Sequence, residues 1–218
     1  MKHTLLLALA LLGGAAQADN LITNGSFEGT VPLIENHGDV NSMGLTGGST
    51  YMPGWTVTGS EIAWIGSGNP YALAASAGDR FIDLTGWVNN NGNPAGVVQT
   101  IQTVAGQHYT LSFDLGNSTN YNYGNTIALT AQVGNTSQVF TNTDITSTNS
   151  WQHFSMNFVA SGNSTDVSFT GKSAIYYIGV DNVSVVTAVP EPETYGMLLA
   201  GLGLLGFAAR RKQVKKLG

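Results

Sequence analysis

Apolar and polar side chains alternate with a period of two along much of this chain, and that alternation limits what it can fold into. The pattern is plainest in Tyr109-Thr110-Leu111-Ser112-Phe113-Asp114-Leu115 and in Phe154-Ser155-Met156-Asn157-Phe158. Shorter stretches, Val167-Ser168-Phe169 and Val183-Ser184-Val185, repeat it. Such a strand sets one face in a core and the other in water, as in antiparallel sheets. No segment of residues 19–189 carries the period of an amphipathic helix. Glycines 96, 106, 116, 134, 162 and 171 fall between or at the ends of the runs and read as turn signals. The predicted strands are 21–23, 54–58, 61–65, 80–84, 96–104, 107–115, 125–133, 137–141, 151–160, 165–170 and 174–187. Strands at this spacing, without a longer internal repeat, predict an all-β fold, an antiparallel jelly-roll sandwich. Residues 35–53 and 86–95 are the longest irregular segments, and long loops on a rigid sandwich are where binding concentrates.

The chain has 218 residues, no cysteine and a formal charge of −5. Without cysteine there is no disulfide scaffold, thiolate metal site or cysteine nucleophile. Residues 19–188 hold only Arg80 and Lys172 against eleven carboxylates, a balance of −9. A body this acidic has no footprint for nucleic acid, which is excluded as a partner.

The two ends read as addresses. Residues 1–18 begin with Lys2, run apolar from Leu5 to Leu12 and close on Ala16-Gln17-Ala18. That is the form of a secretory signal peptide, cut by signal peptidase after Ala18. Residues 189–218 begin Val189-Pro190-Glu191-Pro192, continue through an apolar stretch, Tyr195 to Ala209, and end in a basic cluster that includes Arg210 and Arg211. The apolar stretch is 15 residues, short of the ~20 of a comfortable span. Snorkelling flanks could make up the difference in a short transmembrane helix. This tripartite tail resembles the PEP-CTERM sorting signal of Gram-negative bacteria. The resemblance implies an inner-membrane intermediate, processing by an exosortase near Pro190–Pro192, and release to the cell surface or extracellular matrix. The alternative is a plain C-terminal anchor.

The body, residues 19–188, opens Asn20-Leu21-Ile22-Thr23-Asn24-Gly25-Ser26-Phe27-Glu28 and reaches Gly54-Trp55-Thr56-Val57. It closes Tyr177-Ile178-Gly179-Val180-Asp181-Asn182-Val183-Ser184-Val185. Together with Phe81-Ile82-Asp83-Leu84 and Val97-Val98-Gln99-Thr100-Ile101, these motifs resemble the galactose-binding-domain-like sandwiches, which include carbohydrate-binding modules. The resemblance implies a jelly roll whose first and last strands lie close together. It further implies a structural calcium near Glu28 and Asp181, since a hard cation gathers carboxylate and carbonyl oxygens. The other reading is that both carboxylates cap turns or accept backbone N–H groups. Phe27, Trp55, Phe113, Trp151 and Phe158 are expected in the core. Gly25 is expected at a turn with positive φ.

Catalytic signatures are missing from the sequence. His37, His108 and His153 make no H-x-x-x-H pair, and no G-x-S-x-G elbow exists. Asp79 and Asp83, if in one strand, would stand about 13 Å apart, too far for paired-carboxylate glycosidase chemistry. Asp83 is expected to anchor a turn, and the chain is not expected to be an enzyme. Sugar binding needs flat rings beside hydrogen-bonding groups. Trp87 with Asn89 and Asn91, and Tyr121 with Asn122 and Tyr123, supply both in two Asn-rich loops. These rings could instead fold back and only cover the sandwich end. The sequence therefore points to an exported surface or matrix protein associated with extracellular polysaccharide. The alternative is a structural or adhesive protein acting through protein–protein contacts.

Overall fold

The alternating segments do become strands. The computed structural model describes residues 19–87, 94–118, 126–146, 149–172, 177–188 and 200–204. Its strands are β1 (Ser42–Thr46), β2 (Thr56–Thr58), β3 (Glu61–Gly66), β4 (Arg80–Asp83), β5 (Gly96–Gln102) and β6 (His108–Asn117). They continue with β7 (Ile127–Val133), β8 (Thr136–Asn142), β9 (Ser150–Val159), β10 (Ser164–Gly171) and β11 (Gly179–Thr187). Two antiparallel sheets result: sheet A in the order β1-β3-β4-β11-β6-β9, and sheet B in the order β2-β5-β10-β7-β8. This is the expected jelly-roll sandwich. Along β6, Tyr109, Leu111, Phe113 and Leu115 enter the core between the sheets, where they meet Val97, Leu129 and Phe169 of sheet B. Among the described residues, all strands and both hydrophobic clusters lie within residues 19–188.

The sequence expectation and the structure part company in three places. The first is β1, which lies inside the predicted irregular segment 35–53. Gly44 in its centre removes the side chain whose alternation would have marked it. The second is residues 21–23, which form no strand. Instead Leu21 N–H donates to the Val185 carbonyl, and Val183 N–H donates to that of Gly25. The opening segment thus lies beside the last strand, as the resemblance implied. The third is the wet face. In β3 every residue is buried, and Ala63, Ile65 and Phe81 form a second cluster with Leu73 and Tyr177 on the outer side of sheet A. Trp151, expected in the core, packs against this outer cluster and is only half-buried.

Gly25 is also explained differently. The positive φ falls on Asn24 (55°) and Phe27 (53°), not on Gly25. What Gly25 provides is room, because a Cβ there would stand 1.9 Å from the Val183 carbonyl oxygen. Gly25→Ala should therefore destabilise residues 19–188 by about 1–3 kcal/mol through overpacking. Gly162→Ala, whose Cβ would meet nothing closer than 3.9 Å, should stay within about 0.5 kcal/mol of the parent. Urea unfolding of the two variants makes the comparison, and equal effects would refute the steric reading.

Candidate ligand-binding site

Strand direction gathers the long loops at one pole. Gly179 pairs with both Asp83 and Gly116, and Gly116 pairs with Trp151. The end of β4, the start of β11, the end of β6 and the start of β9 therefore share one level. Segments 84–95, 118–126, 143–149 and 172–178 all leave from it. The Trp87 segment follows β4 and the Tyr121 segment follows β6, two strand spacings or about 10 Å apart. Asn89, Asn91, Tyr121, Asn122 and Tyr123 themselves lie outside the described residues.

Trp87 does not stand free. Its indole stacks on His37, with ring centroids 4.8 Å apart and planes within 10°. Tyr71 meets it edge-on at 6.4 Å. Trp87 Nε1 and Tyr71 Oη both donate to Asp39 Oδ2, each at 2.6 Å. The Trp87 backbone N–H donates to Glu61 Oε1 at 3.2 Å, and Glu61 Oε2 lies 3.0 Å from His37 Nε2. Gly44 makes this possible: a Cβ there would collide with the His37 ring at 2.6 Å and the Glu61 carboxylate at 2.8 Å. Asn36 fixes the segment by exchanging two hydrogen bonds with the Gly44 backbone. One ring predicted from sequence thus joins a cluster of His37, Asp39, Glu61 and Tyr71. Glu61 and Tyr71 stand outside both long irregular segments of the sequence. His37 and Asp39 came from segment 35–53, which was expected to bind but without named residues.

A second polar group sits on the same outer face, two strands along sheet A from β3. Asp181 of β11, Asp114 of β6 and His153 of β9 are cross-strand neighbours. A bulge in β11, with Asn182 at φ 52°, keeps Val180 and Val183 in the core while Asp181 faces outward. Asp181 Oδ2 accepts the N–H groups of Ser76 (2.7 Å) and Ala77 (2.8 Å), and Oδ1 accepts that of Asn182. Asp114 accepts from Ser76 Oγ and from Asn182 Nδ2, and its other oxygen lies 2.7 Å from His153 Nδ1. The order is Ser–Asp–His, with the carboxylate in the middle. Ser76 therefore donates to a carboxylate and not to a histidine base, which is not the arrangement that activates a serine nucleophile.

Glu28 works in the same way as Asp181. Its Oε1 accepts the N–H groups of Asp79 (2.7 Å) and Arg80 (2.9 Å). Among the described residues every hydrogen bond of these two carboxylates comes from a backbone N–H, as the alternative to a calcium role had it. Among the described residues no group of three His, Asp or Glu side chains is placed to hold a metal ion. Asp83, as expected, anchors a turn, accepting Thr85 N–H and Oγ1 and the Ile178 N–H.

With this geometry in hand, comparison with known proteins adds family and fold. Residues 20–185 match the family described as Protein of unknown function (DUF642). The chain belongs to the DUF642 family. Residues 188–212 of this DUF642 chain match the PEP-CTERM protein-sorting motif, which marks exported proteins handled by an exosortase in Gram-negative bacteria. Val189, Pro190, Glu191, Pro192, Arg210 and Arg211 fall inside that match and outside the described residues. Residues 200–204 are helical, and among the described residues no helix is long and apolar enough to cross a membrane. No curated protein matches the chain. Among solved structures it is similar to an apo-form cyclase from Fischerella sp., with 19% identity over 79% of this chain and 97% of that one (TM-score 0.52). It is also similar to TmCBM61 in complex with beta-1,4-galactotriose, at 13% identity over 78% and 100% of the two chains (TM-score 0.47). A family 35 carbohydrate binding module from Clostridium thermocellum is 13% identical over 61% of this chain and 92% of that one (TM-score 0.43). At such identities the likeness is one of fold.

Burial pushes the Asp181 carboxyl up to about 7, opposed by its N–H donors and helped by the charge of Asp114. Burial likewise raises Asp83 to about 6, against the pull of its Thr85 and Ile178 bonds. Both start from a usual value of 3.8. The folded DUF642 domain thus holds protons that the unfolded chain releases, and stability from this source is full below that value. It is lost as pH rises through about 6 and 7. The melting temperature should fall between about pH 5 and pH 8, and Asp181→Asn, which cannot ionise, should flatten the upper part of that fall. Thermal circular dichroism across the range checks it; a parallel slope in the variant would refute the assignment.

Proposed function

We propose that this DUF642 chain is an exported, non-catalytic carbohydrate-binding protein of the cell surface or extracellular matrix, which holds polysaccharide at the Trp87 cluster. The observation that carries the reading is the shared placement of the Trp87–His37 stack and the Asp39 and Glu61 carboxylates. A pyranose ring presents flat C–H faces and a rim of hydroxyls, so it is recognised by planar rings bordered by acceptors. Asn89, Asn91, Tyr121, Asn122 and Tyr123 would extend the same surface, since their segments start from the same pole.

The position of the tail supports this orientation. Thr187, the last residue of β11, pairs with Tyr109 near the start of β6, at the pole opposite Trp87. A tail held at the membrane, or trimmed by an exosortase, would leave the Trp87 pole facing outward.

A second reading, adhesion through protein contacts, draws on the outer face of sheet B. There Thr56, Val98, Ser168, Gln132 and Ser137 form one uncharged row, and Thr58, Gly96, Thr170, Thr130 and Val139 form the next. Asp166 is the one charged residue among the outward positions of this sheet's strands.

The two readings separate on a glycan array with residues 19–188. Carbohydrate binding predicts retention of at least one glycan, weakened about tenfold or more, some 1.4 kcal/mol, in Trp87→Ala. Trp87→Phe, which keeps a ring and loses the N–H donor, should fall between parent and alanine variant, and Gln132→Ala on sheet B should bind as the parent does. Cooperative thermal unfolding of each variant confirms that the fold is intact. Loss of binding in Gln132→Ala but not in Trp87→Ala, or no glycan bound at all, would overturn the proposal.

A further inference from the structure

We infer that the polysaccharide recognised at the Trp87 cluster carries protonated amines, as a de-N-acetylated amino-sugar polymer does. The inference rests on the carbohydrate reading above and names the substrate class of the same site.

Asp39 is the residue that carries it. Two aromatic donors, Trp87 Nε1 and Tyr71 Oη, converge on Oδ2 and hold the carboxylate in one orientation. Oδ1 accepts no hydrogen bond among the described residues, and Asp39 is half-exposed. A fixed carboxylate with one oxygen unclaimed among the described residues, on a half-exposed residue beside aromatic rings, is the pairing that favours an ammonium group. The oxygen supplies a charge-assisted acceptor, and the ring faces attract the cation through their quadrupoles.

Nothing in the body supplies that cation from within. Arg80 sits 4.6 Å over the Trp64 ring and donates to the Val31 carbonyl. Lys172 follows β10, in the other sheet. His37 is engaged by Glu61. Residues 19–188 balance at −9, so an anionic polymer such as a uronate would be repelled, whereas a cationic one would be drawn in. A neutral sugar would draw no benefit from this field.

The test uses residues 19–188 with three probes in isothermal titration: glucosamine oligomers, N-acetylglucosamine oligomers and uronate oligomers of equal length. The amine form should bind about tenfold or more tighter than the acetylated form at physiological salt. That margin should shrink at about 1 M salt, where the Debye length is about 3 Å. Asp39→Asn keeps an acceptor for Trp87 and Tyr71 but removes the charge. It should lower the affinity for the amine oligomer far more than that for the acetylated one, so that the ratio between the two falls to about one, with cooperative thermal unfolding retained. Equal affinity for the amine and acetylated forms, preference for the uronate, or an amine preference that survives Asp39→Asn would each overturn the inference and leave the carbohydrate reading standing. Failure of all three oligomers together with an empty glycan array would remove both.

Discussion

The segment laid across the outer face of sheet A has its backbone N–H groups taken up by two carboxylates, the buried Asp181 and the half-buried Glu28. Residues 76–80 have four amides with carboxylate partners: Ser76 and Ala77 on Asp181, Asp79 and Arg80 on Glu28. A hydrogen bond to a charged acceptor contributes about 1.5–3 kcal/mol, against about 0.5–1.5 kcal/mol for a neutral pair. These four bonds therefore decide whether the segment lies down. Once it does, Leu73, Tyr71 and Tyr177 close over Ala63, Ile65 and Phe81. The same interaction explains the odd charge balance. In a body with eleven carboxylates and two cations, peptide dipoles do what lysine and arginine side chains do elsewhere.

Small residues complete the cover. Gly44, Ala63, Asp83, Gly179, Gly116 and Trp151 form one continuous row across sheet A. The Trp151 indole occupies the space where a Gly116 Cβ would stand, and its Nε1 donates to the Ala74 carbonyl. His37 uses the space over Gly44 in the same way. Rings and carboxylates thus approach the sheet backbone where side chains are missing, and the polar clusters of the outer face follow from that row.

Much of this architecture was legible in the alternating segments, because period two is set by the pleat itself. Ten of the strands, and core residues such as Phe27, Trp55 and Phe113, followed from it. The doubly buried part of sheet A was legible in principle: Ile62-Ala63-Trp64-Ile65 is a continuous apolar run, the signature of a strand covered on both faces. The candidate site was less so. Asp39, Tyr71 and Trp87 meet across separations of 32 and 48 residues, and such long-range contacts leave no local pattern. The Val180-Asp181-Asn182-Val183 bulge likewise replaces alternation with a three-residue step between core valines.

The central claim, that carboxylates fasten residues 76–80 to the sandwich, is tested most directly by native-state hydrogen exchange at single-amide resolution. The account predicts that the amides of Ser76, Ala77 and Arg80 exchange as slowly as those in β6 and β11, by opening of the whole domain. Exchange at the rate of the exposed turn at residues 161–163 would contradict it.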